Sequence, residues 1–86
     1  MDAQLSYKLG NSEVRRRDQV QVVFHANPDR KGGFIINDSD KPLQVRLGES
    51  GVVELMPNKA IQFGAELGDV RVGGEYMQRF RAMEFY

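Results

Sequence analysis

With 86 residues, twelve basic side chains against twelve acidic ones, a single histidine and no cysteine, the chain makes one domain, near the size at which one core is only just sufficient. The composition excludes a disulfide framework and a thiolate metal site. The charge balance argues against a chain whose main task is neutralising phosphate or lying on an anionic membrane. No apolar run approaches the roughly 20 residues that span a bilayer, and residues 1–9 lack the basic and then apolar order of a secretory leader.

Residues 1–18 carry scattered apolar positions (Leu5, Tyr7, Leu9, Val14) and end in Arg15-Arg16-Arg17-Asp18. They keep neither the helical nor the strand period for long, so they read as an N-terminal arm, with the β domain proper spanning 19–86. Leu5, Tyr7 and Leu9 alternate, which leaves room for a short strand added to a neighbour's sheet edge. From Val20 the alternation is clean: Val20, Val22 and Phe24 share one face, while Gln19, Gln21, Val23 and His25 share the other. The turn signal at Pro28 ends that strand.

The stretch 27–42 is turn, strand, turn. Gly32-Gly33 accept unusual backbone angles, Phe34-Ile35-Ile36 supply a β-prone run, and Asn37-Asp38-Ser39-Asp40 offers side-chain acceptors that close a turn. Leu43, Val45 and Leu47 form the third strand, with Phe34 and Val45 taken as core positions. The turn Gly48-Glu49-Ser50-Gly51 then joins it in a hairpin to Val52, Val53 and Leu55. Pro57-Asn58 marks a further turn, Ile61 and Phe63 a short strand, and Val70 and Val72 another. Gly73-Gly74 reads as a two-residue turn into a last strand starting at Tyr76, with a helix over 75–83 as the weaker alternative. Tyr76, Phe80 and Ala82 share one parity there and Met77, Met83 and Phe85 the other, so either a bulge lies near Ala82 or both faces are covered. The expected fold is all-β, a small antiparallel β-sandwich or β-barrel of six to eight short strands with an extended N-terminal arm.

Chemistry is sparse. His25 stands on the polar parity with no nucleophile or orienting carboxylate designated beside it, so a surface or subunit-contact role is expected. Asp38 and Asp40 loosely follow the alternating oxygens of a calcium loop, but Pro42 and Gly48 occupy the places where that loop needs glycine and glutamate. Gly32-Gly33 leads into a strand, which rules out a phosphate cradle opening a helix. The one basic run, Arg15-Arg16-Arg17, could join Arg30, Lys31, Arg71, Arg79 and Arg81 in a patch, with Tyr7, Phe24, Phe34 and Tyr76 as stacking rings. Neutral charge and the core parity of most of those rings argue against nucleic acid. No catalytic group, cofactor or metal is expected. The candidate partner-binding residues are Arg15, Arg16 and Arg17 on the arm and Tyr76, Phe85 and Tyr86 on the last strand.

Residues 24–86 resemble small β-rich virion proteins of tailed bacteriophages, of the head-decoration and head-fibre kind. The resemblance lies in Asn27-Pro28-Asp29-Arg30-Lys31-Gly32, in Phe34-Ile35-Ile36-Asn37-Asp38-Ser39-Asp40, in Leu43-Gln44-Val45-Arg46-Leu47-Gly48, and in Val53-Glu54-Leu55-Met56-Pro57-Asn58. The closing stretch from Gly68-Asp69-Val70-Arg71-Val72 to Glu84-Phe85-Tyr86 also fits, although Asn58 stands where that group carries glycine and Phe63 falls later than its usual aromatic. The resemblance implies a non-enzymatic virion subunit. It would bind the major capsid protein as decoration or cement, or another virion protein at the neck or tail, as a homo-oligomer with a trimer among the options. A weaker resemblance, over Val22 to Leu47, is to the opening of the immunoglobulin-like chaperones that assemble pili, which are larger, two-domain proteins. The rival expectation is a free-standing module that binds carbohydrate, peptide or single-stranded nucleic acid on a sheet face.

Overall fold

The computed structural model describes residues 7–10, 13–15, 20–65 and 68–86. It contains eight strands: β1 (Tyr7–Leu9), β2 (Gln21–Phe24), β3 (Gly32–Asn37), β4 (Leu43–Leu47), β5 (Val52–Leu55), β6 (Ala60–Phe63), β7 (Val70–Gly73) and β8 (Phe80–Phe85). They form two four-stranded antiparallel sheets in the orders β1-β8-β3-β6 and β2-β7-β4-β5. The fold is therefore a small β-sandwich, and no helix occurs among the described residues, 75–83 included.

Cross-strand partners share a face of a sheet, so the pairing registers divide the residues between core and exterior. The first sheet sends Ile35, Phe63, Phe80 and Ala82 inward, and the second sends Phe24, Leu43, Val45, Leu55, Val70 and Val72 to meet them. Ile35, Leu43, Val45, Val70 and Val72 are completely buried, and the Phe24 and Phe63 rings pack at 6.4 Å between centroids. Gly33 is required beneath Phe63, because a Cβ there would strike that ring and the Met83 carbonyl.

Three expectations are corrected. Phe24 is core, but Val20 is 43% exposed and Val22 only half-buried. The β2–β7 register shifts between Val22 and Phe24, and this bulge turns the adjacent Val23 inward as well. Phe34 is not a core residue: Ile35 takes the inner face of β3, and Phe34 and Ile36 lie half-buried on the outer one. Finally, Gly73-Gly74 is not a hairpin turn. Gly73 ends β7 in the second sheet while β8 lies in the first, and the chain crosses over through a turn at 75–78 in which Gln78 N donates to the Glu75 carbonyl (3.0 Å) and Met77 has φ of 70°.

The described residues of the arm lie along the first sheet and its crossover. Tyr7–Leu9 pairs with β8 of its own sheet, and Gly10 N donates to the Ala82 carbonyl. Glu13 bridges Arg79, and Val14 is completely buried, exchanging backbone hydrogen bonds with Met77 and Gln78. The β4–β5 hairpin and the Pro57-Asn58 turn stand as expected; Asn58 adopts φ of 62°, a left-handed conformation that asparagine tolerates better than most residues. Among the described strands only that hairpin stays within one sheet, so the remaining connections all pass between layers.

Candidate binding surface

Two buried polar clusters hold those connections, one at each end of β3. Beyond its start, Arg30 is 3% exposed and its Nε donates to Glu84 Oε1 at 2.7 Å. Its Nη1 donates to the Gly68 carbonyl (3.0 Å), its Nη2 to the His25 carbonyl (2.9 Å), and its guanidinium lies 5.7 Å from the Phe63 ring centre. One side chain thereby joins the ends of β2 and β8 to the loop before β7. At the other end, buried Asn37 donates from Nδ2 to the carbonyls of Lys41 (2.7 Å) and Leu55 (2.8 Å) and accepts from Ser39 Oγ (2.6 Å). Gln78 Nε2 reaches the Lys41 and Pro42 carbonyls and Ser39 Oγ at 2.8 to 3.0 Å, while its Oε1 accepts from Glu75 N at 2.9 Å. These clusters are structural: they satisfy buried backbone groups where strands change sheet.

The acidic turn that loosely suggested calcium is closed by Asn37 and Ser39, with Asp38 facing Arg81 across 3.5 Å at the surface. Among the described residues no group of three or more histidine, aspartate or glutamate side chains converges on a metal position. His25 is exposed just after β2, beside Lys8, Asn27, Glu84 and Tyr86 around a shallow depression. Arg30 is taken up by the interior, so it is not part of a basic surface patch.

With the frame fixed, the outer face of the first sheet stands out. Pairing of Tyr7 with Phe85, of Leu9 with Met83, of Met83 with Phe34 and of Arg81 with Ile36 places all of these on the side away from the core. The Phe34 and Phe85 rings lie 6.2 Å apart. Tyr7 and Leu9 are 62% and 65% exposed, and Phe34, Ile36, Met83 and Phe85 are half-buried. A shallow groove of about 420 Å³ runs over this face between Leu9, Phe34, Ile36, Arg81 and Met83. Arg81 on the middle strand β8 also lines the groove, opposite Ile36, and Gln62 stands across from Phe34 on the edge strand β6.

Of the sequence-predicted contact residues that are described, only Phe85 lies on this face. Tyr86 is at its border by the His25 depression, and Tyr76 sits 56% exposed on the crossover turn before β8. β8 is six residues long, so Tyr76 and Phe85 are roughly 20 Å apart at ordinary strand rise. Arg15 is exposed, with its backbone N–H donating to Gln21 Oε1 at 2.7 Å; Arg16 and Arg17 lie outside the described residues. Among the described ones, Tyr76 and Phe85 therefore stand at opposite ends of the last strand. The residues that do share a surface, Leu9, Phe34, Ile36 and Met83 with Phe85, carried a signal: three consecutive apolar residues on β3 and two apolar parities on β8 mean a sheet apolar on both sides.

Compared with protein-family models, with curated proteins and with solved structures, the chain matches none.

Proposed function

We propose that the chain is a non-enzymatic structural subunit that docks onto protein through the outer face of its first sheet. The observation that carries this is a sheet whose inner face already lines a complete core and whose outer face is apolar again, from Tyr7 and Leu9 through Met83 and Phe85 to Phe34 and Ile36. A contiguous apolar patch of this kind on a small domain is a surface to be covered. The setting proposed is a phage particle, with the major capsid protein or another virion protein as the partner. Its support is the order of turns and strands over 24–86 that resembles head-decoration and head-fibre proteins. Many copies on a symmetric shell need only modest affinity each.

Quantitative mass spectrometry of particles purified from the source system tests this by counting copies of the chain per copy of major capsid protein. Hundreds of copies are the expected result for decoration or cement, and a dozen or fewer for a neck or tail subunit. Absence from the particles overturns the virion setting. Salt-independent capture of an oligosaccharide or a peptide by the isolated chain would then favour a free-standing binding module, and binding that falls steeply with salt would favour single-stranded nucleic acid.

A further inference from the structure

We infer that the free edge of β5 takes up an extended strand from another protein, one with an apolar residue beside Val53 and a basic residue beside Glu54. This edge belongs to the second sheet, so the contact stands or falls separately from docking through the first.

The four sheet edges are not alike. β1 is three residues long and carries Lys8, and β2 is broken by the register shift between Val22 and Phe24. Shortness, lysine and bulges all discourage a further strand. On β6 the inward residues are already covered, Phe63 fully and Ile61 in part. β5 has none of these protections: it pairs with β4 without a register shift, contains no lysine, glycine or proline, and exposes Val52, Val53 and Glu54.

Val53 shows what is missing beside it. It pairs with Val45, which is completely buried, and so ends the inner row Val72, Val45, Val53, yet it is 43% exposed. Among the described strands no other apolar residue on an inner row is exposed. A strand added along β5 would set a side chain about 4.5 to 5.5 Å from Val53 and lengthen that row by one position, while its main chain pairs with the open edge. The adjacent outer row, Gly73, Gln44, Glu54, ends in an exposed carboxylate that forms no ion pair among the described residues. A lysine or arginine in the next strand completes it.

The same edge of a second copy is less complementary. In two-fold antiparallel pairing, the register that stacks Val53 on Val53 sets Glu54 opposite Val52, and the one that lays Leu55 beside Val53 sets Glu54 on Glu54. Neither gives the carboxylate a cation, and the second repels.

NMR titration of the full chain with a short capped peptide of alternating valine and lysine tests the inference. Saturable binding at millimolar concentration or below is expected, with the largest amide shifts on residues 52–55. A peptide of alternating valine and glutamate is expected to bind about three- to tenfold more weakly. The chain is formally neutral, so net charge alone favours neither peptide. Glu54→Lys is expected to reverse the order, whereas Glu75→Lys, the same change at an exposed position on the crossover turn, is expected to leave it. N-methylation at every second residue blocks one edge of the lysine peptide; applied to each alternate set in turn, it is expected to abolish binding for at least one. Absence of binding at millimolar peptide overturns the inference, as does an order unchanged by Glu54→Lys, full binding by both methylated peptides, or shifts centred on the first sheet. Concentration-dependent shifts of 52–55 without peptide would put a second copy on this edge and overturn it as well. Failure on any of these counts with particle binding intact leaves the docking role standing.

Discussion

The two sheets present opposite exteriors. Across the outer face of β2-β7-β4-β5, one row runs Val22, Arg71, Arg46, Val52, and the next carries Gln44 and Glu54. Across the outer face of β1-β8-β3-β6 the rows are Leu9, Met83, Phe34, Gln62, then Tyr7, Phe85, Gly32, and on the other side Arg81, Ile36, Ala60, so that one cation stands among mainly apolar residues. The first pattern is that of an antiparallel sheet with one wet side. The second is that of a sheet between two layers, of which the single chain supplies one. The difference teaches where this fold has surface to spare: strand alternation is kept in both sheets, and only the chemistry of the outward residues changes.

That comparison depends on β8 and β3 holding their inner residues inward, so the largest effect comes from attacking the anchor. Glu84→Ala would remove from inside the sandwich the carboxylate that Arg30 Nε meets at 2.7 Å, and an expected loss of about 3 to 5 kcal/mol should appear as a lowered urea midpoint. A change of only a few tenths would mean that β8 is not pinned there and that its two faces are interchangeable. Next comes the contrast between neighbours on β3. Ile35→Ala empties a fully buried position and should cost roughly 2 to 5 kcal/mol. Phe34→Ala, one residue away on the half-buried outer face, should cost about 1 kcal/mol in dilute solution. Equal losses for the two variants in dilute denaturant melts would break the inside–outside assignment of this sheet.

The strands themselves were legible, since alternation over 43–47 and the turns at Gly48-Glu49-Ser50-Gly51 and Pro57-Asn58 depend on nearby residues alone. What turn chemistry does not encode is which sheet the next strand joins. Gly73-Gly74 looks like a hairpin turn, yet the chain leaves the second sheet there and crosses to the first. Alternation from Val20 fits a regular strand as well as the bulged one that buries Val23 and Phe24 together. Val14 gives no local sign of burial between charged neighbours; it is core because the 75–78 crossover closes over it. Arg30 and Glu84 are 54 residues apart, and no local pattern joins them. The outer apolar face was half legible. Phe34-Ile35-Ile36 and the double parity of β8 required cover on both sides, but the registers between strands were needed to put Phe85 beside Phe34 and to move Tyr76 to the other end.

The smallest expected effect tests the polar exterior on its own terms. Arg46 and Arg71 are direct cross-strand partners, and like charges in that position repel. Asp69 relieves Arg71 at 2.9 Å, whereas Arg46 is exposed and among the described residues forms no ion pair. Arg46→Glu would put a carboxylate opposite Arg71 without burying anything, and it should stabilise the chain by about 0.2 to 1 kcal/mol at low salt. Added salt should erase the gain, because an exposed pair is screened over a Debye length of about 8 Å at physiological ionic strength. Docking through the other sheet should be untouched. If Arg46→Glu instead altered association, the charged face would be a contact surface too, and the division between a wet exterior and a docking exterior would have to be redrawn.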